Sequence, residues 1–251
     1  MAEPIYVFKF RGIGEPLRGN LLDALPLPAG ATVIEVPWSA SYGPVPDPFG
    51  VSYADSLAAG MALGERRVRD TLIEEPFARI VLVGYSGGAA LAGNLARKLG
   101  AAMVDAAVLV ADPNDPGTAN VFGIAGRRDT GDVPAWWVRG PNDAICSCPR
   151  YNPLRIIARV TPYVALDARA WGAAGADVRR QLRDPRTRRD MAAEIGPPWS
   201  PLTWQRWERA FQLADGYLSG REHRAWYLTG APMRVAGAWL ATELRRTSTR
   251  A

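Results

Sequence analysis

The chain has 251 residues, of which 48% are hydrophobic and 22% are charged, and its formal net charge is +5. This composition is typical of a globular protein with a full core, and the apolar runs are too short to cross a bilayer. The positive charge comes almost entirely from arginines interspersed with acidic residues, without an aromatic-basic motif. The sequence therefore argues against nucleic-acid binding.

The first part of the chain alternates apolar segments with helical patterns. Helices are predicted at residues 53–75, where apolar residues recur at helical spacing, and at residues 89–99. Short apolar segments between them predict strands at residues 5–10, 32–36, 79–84, 106–111 and 136–139. Strands that are apolar throughout and alternate with helices are typical of a parallel sheet covered on both faces. We therefore predict an α/β fold with a central parallel sheet of about five strands.

The pattern changes after Pro149. Residues 153–218 show no convincing strand, only helical segments broken by proline and glycine, and they are rich in arginine and tryptophan. A last helix is predicted at residues 232–245. We expect a single domain over residues 1–251 that carries residues 153–218 as a helical cap or linker insertion.

A nucleophilic serine is predicted at Ser86. The segment Gly-Tyr-Ser-Gly-Gly over residues 84–88 matches G-x-S-x-G, directly after an apolar strand and at the start of a helix. In this context the small residues let strand and helix approach closely, and the serine hydroxyl is exposed at the carboxyl end of the sheet. The alternative is an ordinary glycine-rich turn between a strand and a helix.

A serine nucleophile needs a base and a supporting acid. His223 is the only histidine of the chain, and it lies after all the predicted strands, where an α/β-hydrolase carries its base. Asp143 is the favoured acid because it follows the fifth strand, and Asp112, one strand after the nucleophile, is the runner-up. The other plausible candidates between Ser86 and His223 are Asp115, Asp129 and Asp132.

An oxyanion hole requires two backbone N–H donors. One is predicted at Gly87, immediately after the nucleophile, and the second at Ile13, in the glycine-containing loop after the first strand. A dinucleotide site is excluded because that loop lacks the third glycine of G-x-G-x-x-G.

No metal or organic cofactor is expected. The chain has two cysteines, Cys146 and Cys148, and a single histidine, which falls short of the usual four ligands of a zinc site. A disulfide across one intervening residue would be strained. We therefore favour two free thiols in a loop.

These residues together resemble the lysin B family of mycobacteriophages, the mycolylarabinogalactan esterases, and more distantly the cutinase family. The resemblance extends over nearly the whole chain. It is carried by residues 10–15, 37–44, 56–60, 84–88, 122–126, 140–143 and 147–149 and by the segment from His223 to Tyr227. Many relatives have a small hydroxyl residue where this chain has Ile13, so any side-chain help to the oxyanion is absent here.

The resemblance implies a cutinase-like α/β-hydrolase fold and hydrolysis of the ester that joins mycolic acids to arabinogalactan, during lysis by a phage. Ser86, Asp143 and His223 fall on the triad positions of the family. We expect a monomer without a transmembrane segment or a separate peptidoglycan-binding domain. It would be made in the host cytoplasm without a signal peptide and would act at the host envelope after release.

Two alternatives stay open. The first is a cutinase-like or lipase-like carboxylesterase that acts on other lipid esters, and the second is an inactive wall-binding module. If the chain binds a lipid ester, the helical insertion is the expected acyl-binding part. The candidate substrate-binding residues are Tyr85, Trp171, Trp199, Trp204, Trp207 and Trp226. For Trp204 and Trp207, packing onto a core is the competing interpretation.

Overall fold

The computed structural model describes residues 3–163 and 168–248, apart from the side chains of residues 168–171, 173, 247 and 248. Its strands are β1 (Ile5–Phe10), β2 (Thr32–Glu35), β3 (Arg79–Tyr85), β4 (Ala106–Val110), β5 (Val121–Phe122), β6 (Ala135–Val138) and β7 (Cys148–Pro149). Five of them form one sheet in the order β2-β1-β3-β4-β6, with every neighbouring pair parallel. The predicted five-stranded parallel sheet is therefore confirmed.

The α-helices are α1 (Tyr53–Glu74), α2 (Gly87–Leu99), α3 (Leu154–Val160), α4 (Ala168–Arg183), α5 (Pro185–Ile195), α6 (Pro201–Leu218), α7 (Trp226–Leu228) and α8 (Ala231–Ser248). A 3₁₀ turn at Leu21–Ala24 and a π-helix at Arg221–Ala225 complete the regular structure of the described residues. Within the same residues, no helix is both long and apolar enough to span a membrane.

The sheet is covered on both faces, as its apolar strands require. All seven residues of β3 are buried, and successive side chains of this strand point to opposite faces. Ile80 and Leu82 belong to the core beneath α1 and α2, whereas Val81 and Val83 belong to the core on the other side, with α8 and the 3₁₀ turn. A continuous apolar strand therefore supplies both cores at once.

Close packing of α1 on α2 fixes the layer above the sheet. Gly60 of α1 lies directly against Leu91 of α2, and a side chain at this glycine would collide with that leucine. Helix α1 begins at Ser52, whose hydroxyl oxygen accepts the Asp55 N–H at 3.2 Å. This N-cap contact satisfies one of the backbone donors left free at a helix start.

Helices α3–α6 form the helical part predicted at residues 153–218. It contacts the sheet domain at the start of α1, where the Ala54 N–H donates to the Pro162 carbonyl oxygen at 2.8 Å. Nearby, the hydroxyls of Tyr42 and Thr161 lie 2.6 Å apart. The division into one domain with a helical insertion stays a prediction.

Element boundaries differ from the sequence prediction by a few residues. The last helix is longer than predicted, α2 starts at Gly87 rather than residue 89, and β6 starts at Ala135 rather than residue 136. The antiparallel pair β5–β7 was not predicted. Two-residue strands are too short to show an alternating pattern, so the sequence carries no signal for them.

Candidate active site

Ser86 occupies the turn between β3 and α2 in a strained backbone conformation. Its φ is 54° and its ψ is −122°, a combination that non-glycine residues rarely adopt. The turn is held by the Ser86 N–H, which donates to the Val110 carbonyl oxygen at 2.9 Å. Because strain of this kind persists only where the surroundings enforce it, the position points to a functional serine.

The glycines around Ser86 let the turn fit against β1. A side chain at Gly88 would collide with the Phe10 and Arg11 carbonyl oxygens, and one at Gly84 would collide with the Gly88 carbonyl oxygen. The strand-turn-helix geometry predicted from G-x-S-x-G is therefore present, with the serine at the N-terminus of a helix, the positive end of its dipole.

His223 lies in the π-helix Arg221–Ala225, and its ring reaches Ser86. The distance from its Nε2 to Ser86 Oγ is 2.9 Å. Both side chains are nearly buried, with residue exposures of 8% for Ser86 and for His223. Single-turn π-helices often occur at functional sites. The geometry allows the Ser86 hydroxyl to donate to the imidazole, the contact a general base needs.

Asp143 contacts the His223 ring at Nδ1, the nitrogen that faces away from Ser86. Its carboxylate oxygens lie 2.9 and 3.0 Å from His223 Nδ1, and the residue is fully buried. The Ile145 N–H also donates to Asp143 Oδ1 at 2.9 Å. A carboxylate at this place favours the tautomer with the proton on Nδ1, which leaves Nε2 free to accept the serine proton.

Asp112, the runner-up for the acid, is held elsewhere. Its Oδ2 forms a buried ion pair with Arg128 and accepts the Trp137 indole N–H at 3.2 Å, while its Oδ1 accepts the Asn114 N–H at 2.9 Å. Burial raises the pKa of its carboxyl, and the neighbouring Arg128 opposes that rise. The structure therefore brings Asp143, and not Asp112, to His223.

Tyr227 holds the carboxylate of Asp143, a role that the sequence did not reveal. Its hydroxyl donates to Asp143 Oδ2 at 2.7 Å and accepts the Gly140 N–H at 3.0 Å. The thiol of Cys146 lies 3.3 Å from the same hydroxyl. Burial, reinforced by the neighbouring thiol and carboxylate, raises the pKa of Tyr227 well above its usual range. The phenol therefore keeps its proton and its bond to the carboxylate.

Tyr85 supports the base rather than lining an open cleft. Sequence reasoning placed it among the substrate-binding residues, but it is only 4% exposed and its hydroxyl donates to the His223 carbonyl oxygen at 2.5 Å. The two rings stack with centroids 5.1 Å apart, and the Tyr217 ring lies 4.8 Å from the imidazole. These contacts fix the position of the π-helix relative to β3.

The predicted oxyanion donors lie next to each other. Gly87 and Ile13 are so close that a side chain at Gly87 would come within 2.8 Å of Ile13 Cγ1. Within the described residues, neither backbone N–H donates to another protein group. Glu15 shapes the loop that carries Ile13, because its carboxylate accepts the N–H groups of Gly12 at 2.9 Å and Leu21 at 3.1 Å. Sequence reasoning did not single out Glu15.

The tryptophans proposed as substrate contacts lie in different surroundings. Trp199 and Trp204 are exposed, by 83% and 66%, so neither packs into a core. Trp226 is half-buried against the core beneath the sheet and meets the Tyr227 ring edge-on, with centroids 5.0 Å apart. The side chain of Trp171 lies outside the described residues.

The surroundings of the triad contain no metal-binding cluster. Among the residues whose positions the structure gives, no group of three or more His, Cys, Asp or Glu side chains lies close enough to hold an ion. The two cysteines are free and buried. Independence from metals and cofactors stays a prediction.

The parallel sheet, the strained serine turn and the Ser-His-Asp arrangement define an α/β-hydrolase fold with Ser86 and Asp143 each within hydrogen-bonding distance of His223. Such an arrangement can form and hydrolyse an acyl-enzyme. The predicted α/β-hydrolase fold is confirmed by comparison with solved structures.

Lysin B from Mycobacteriophage D29 is 14% identical in sequence and superimposes with a TM-score of 0.52, over 77% of this chain and 86% of that one. A cutinase-like protein from Cryptococcus sp. is 20% identical, with a TM-score of 0.43 over 76% of this chain and 93% of that one. The catalytic core of acetyl xylan esterase from Trichoderma reesei is 17% identical, with a TM-score of 0.45 over 77% of this chain and 98% of that one.

At these identities the likeness concerns the fold alone. No family model matches the sequence, and no curated protein matches it. The chemistry of the chain therefore has to be argued from its own residues.

Proposed function

We propose that the chain is a serine carboxylic ester hydrolase that works through an acyl-enzyme on Ser86. The observation that carries this proposal is the continuous contact from Ser86 Oγ to His223 Nε2 at 2.9 Å and from His223 Nδ1 to Asp143 at 2.9 Å. The serine also stands in the strained turn that presents a nucleophile in α/β-hydrolases.

In the first half of the reaction, His223 removes the Ser86 proton as Oγ attacks the ester carbonyl carbon. The tetrahedral oxyanion is bound by the N–H groups of Gly87 and Ile13. His223 then passes its proton to the departing alcohol oxygen, and the acyl group stays on Ser86. Asp143 stabilises the imidazolium that forms in between.

In the second half, water takes the place of the alcohol. His223 removes a proton from the water, the hydroxide attacks the acyl carbon, and the proton returns to Ser86 as the fatty acid leaves. Besides the ester and water, these steps use Ser86, His223, Asp143 and the two backbone N–H groups.

For the substrate, we propose the ester that joins mycolic acid to arabinogalactan in a mycobacterial-type envelope. The proposal is supported by the sequence resemblance to lysin B, which spans segments on both sides of the triad, and by an apolar surface on α6. Trp204, Phe211 and Leu218 share one face of this helix at helical spacing and are 66%, 68% and 81% exposed.

Helix α6, which carries this apolar face, ends near the triad. Helix α6 ends at Leu218, three residues before the π-helix that carries His223, and the neighbouring Tyr217 packs against the imidazole. A long acyl chain bound along Trp204, Phe211 and Leu218 would bury apolar surface that is otherwise in water. Trp199, just before the helix, would extend the same surface.

The proposed setting follows from the substrate. The protein would be made in the host cytoplasm, released at lysis and act at the host envelope as a monomer, detaching the outer lipid layer. The second candidate is a cutinase-like or lipase-like carboxylesterase with the same triad, for which any exposed lipid ester is a substrate.

The test is hydrolysis of p-nitrophenyl esters of increasing chain length, and of purified mycolylarabinogalactan, by the wild type and by Ser86→Ala. We expect the variant to lose at least about three decades of kcat/KM on every ester. Ser200→Ala is the matched control, because Ser200 precedes α6 and its side chain makes no capping bond. This control should keep full activity.

The outcomes separate the candidates. Release of mycolic acid by the wild type and not by Ser86→Ala supports the proposed substrate, whereas turnover of simple esters alone favours the carboxylesterase. Equal activity of wild type and Ser86→Ala would refute the mechanism. A preference for long chains that Phe211→Ala lowers, and Phe77→Ala does not, would assign the acyl chain to α6; Phe77 is 80% exposed and lies between α1 and β3.

A further inference from the structure

A cavity of about 480 Å³ lies beside the β5–β7 pair and helices α3 and α5. None of Ser86, Asp143 and His223 lines it. Its charged lining consists of four arginines and two acids: Arg127, Arg150, Arg155, Arg159, Asp190 and Glu194. Cavities of this size hold small ligands in proteins, and arginines outnumber acids here by two to one.

Arg155 is the buried, fixed cation in the lining of this cavity, the arginine cavity. It is 3% exposed, and its guanidinium donates to carbonyl oxygens of five residues at 2.5 to 3.3 Å: Phe122, Gly123, Ile124, Cys148 and Pro149. Within the described residues it forms no ion pair with a carboxylate. Carbonyl groups satisfy the donors but leave the positive charge in place, so the buried cation projects a positive potential into the cavity.

Two exposed arginines are held at the cavity by aromatic rings. The Arg127 and Arg155 guanidiniums lie 4.2 and 3.6 Å from the centre of the Phe122 ring, and the Arg150 guanidinium lies 5.2 Å from the Tyr151 ring. Contacts of this kind orient a cation without neutralising it. In the described part of the chain, neither Arg127 nor Arg150 has a carboxylate partner.

The two acids do not cancel this charge. Glu194 is buried and pairs with Arg159 at 2.8 Å, so that pair is neutral as a unit. Burial raises the pKa of the Glu194 carboxyl, and the neighbouring Arg159 and Arg155 guanidiniums oppose that rise. Asp190 is exposed to water. Three guanidiniums therefore face this cavity against one solvated carboxylate.

We propose that the arginine cavity binds a phosphate group. Guanidiniums bind phosphate through paired N–H donors, and they are preferred over ammonium groups where planar, bidentate contacts are needed. Arg150 and the part of the Arg127 guanidinium that does not bind the Thr118 carbonyl oxygen supply the donors, and Arg155 supplies the fixed positive charge. The phosphate belongs to a phospholipid headgroup or to a soluble phosphate ester, both of which present the same oxyanion.

The experiment is calorimetric titration of the full chain with inorganic phosphate and with glycerol 3-phosphate at constant ionic strength. We expect saturable binding that the double variant Arg127→Gln/Arg150→Gln weakens by about tenfold or more, since each lost charge-assisted contact lowers affinity strongly. The matched control is Arg66→Gln/Arg67→Gln, which removes the same charge from exposed positions of α1. The control should bind as the wild type does.

Thermal unfolding of both double variants shows whether the fold is kept; Arg155 is left unchanged because it organises five carbonyl groups. Sedimentation with phosphatidylglycerol vesicles, compared with phosphatidylcholine vesicles, then distinguishes the sources. Vesicle binding lost only in the cavity variant identifies a headgroup, and binding of soluble phosphate alone identifies a soluble ester. No saturable binding by the wild type, or equal weakening in both double variants, would overturn the proposal.

Discussion

Asp112 and Asp143 are two fully buried carboxylates at the same edge of the sheet. They follow different strands and have different bonding partners. Asp112 follows β4 and is paired with the permanent cation Arg128. Asp143 follows β6 and faces the imidazole of His223. The position after a parallel strand brings both acids to the edge where active sites lie, but the partner decides whether the carboxylate is structural or catalytic.

The partners also differ in what they can do. A guanidinium stays charged throughout the pH range in which proteins fold, so the Asp112–Arg128 pair is constant. An imidazole can take up a proton during catalysis, and the interaction of Asp143 with His223 strengthens when it does. Only the second pair can respond to the charge that would develop on the imidazole in the proposed ester cleavage.

The largest expected difference between the two acids is in activity. Asp143→Asn should lower kcat/KM by about 10⁴, because the amide no longer favours the proton on Nδ1. Asp112→Asn should change kcat/KM by less than about threefold per folded molecule, since Asp112 has no contact with His223. The measurement is p-nitrophenyl ester hydrolysis, normalised to the active fraction. Equal losses in the two variants would contradict the assignment of Asp143.

The order reverses for stability. Asp112→Asn should lower the free energy of unfolding by about 3–5 kcal/mol, because Arg128 is left buried without its counter-charge. Asp143→Asn should cost less than about 2 kcal/mol, since an amide keeps part of the hydrogen bonding and no buried arginine is left without a counter-charge. Urea unfolding followed by tryptophan fluorescence measures both. A larger loss of unfolding free energy in Asp143→Asn than in Asp112→Asn would contradict the structural role given to the Asp112–Arg128 pair.

Tyr227→Phe removes the hydroxyl that holds Asp143. We expect kcat to fall by about tenfold with KM nearly unchanged, because the carboxylate becomes less well oriented while the substrate site is intact. Stability should fall by about 1–2 kcal/mol, since the Gly140 N–H loses its acceptor.

Thr229→Ala is the control for Tyr227→Phe. Its hydroxyl lies in the same segment but donates only to the Trp226 carbonyl oxygen, at 2.8 Å. A fall in kcat equal to that of Tyr227→Phe would show that the segment, and not the phenol, matters.

The smallest effect concerns the thiols of Cys146 and Cys148, a few residues after Asp143. Burial raises the pKa of Cys148 to about 11 and that of Cys146 well above its usual range. The thiolate is the reactive form and is populated only as pH rises toward the pKa, so both thiols should react slowly at neutral pH. Labelling with a chromogenic disulfide should be slow in the native state and fast in urea. Rapid native labelling would contradict this burial.

Much of the fold follows from local patterns. The segments that became β3 and β4 are short and almost entirely apolar, which predicts buried parallel strands, and the helical spacing of α1 is regular. The β5–β7 pair was missed because its geometry depends on Arg155, which binds carbonyl groups from both segments. A contact of that kind leaves no periodic pattern.

The triad itself was predictable because its signals are local or unique. Ser86 lies in a motif between a strand and a helix, and His223 is the only histidine. The sequence favoured Asp143 over Asp112 only because of the strand that Asp143 follows. Nothing in the sequence showed that Arg128 would be buried and paired with Asp112. Tyr227 and Glu15 could not be found because their roles arise from tertiary contacts alone.

The most direct test of the central claim is covalent labelling with diethyl p-nitrophenyl phosphate, followed by peptide mass spectrometry. We predict one diethylphosphoryl group on the peptide that contains Ser86. It should form readily in the wild type and in Asp112→Asn, slowly in Asp143→Asn, and not at all in His223→Ala. A label on another serine, or labelling at Ser86 that does not depend on His223, would contradict the account.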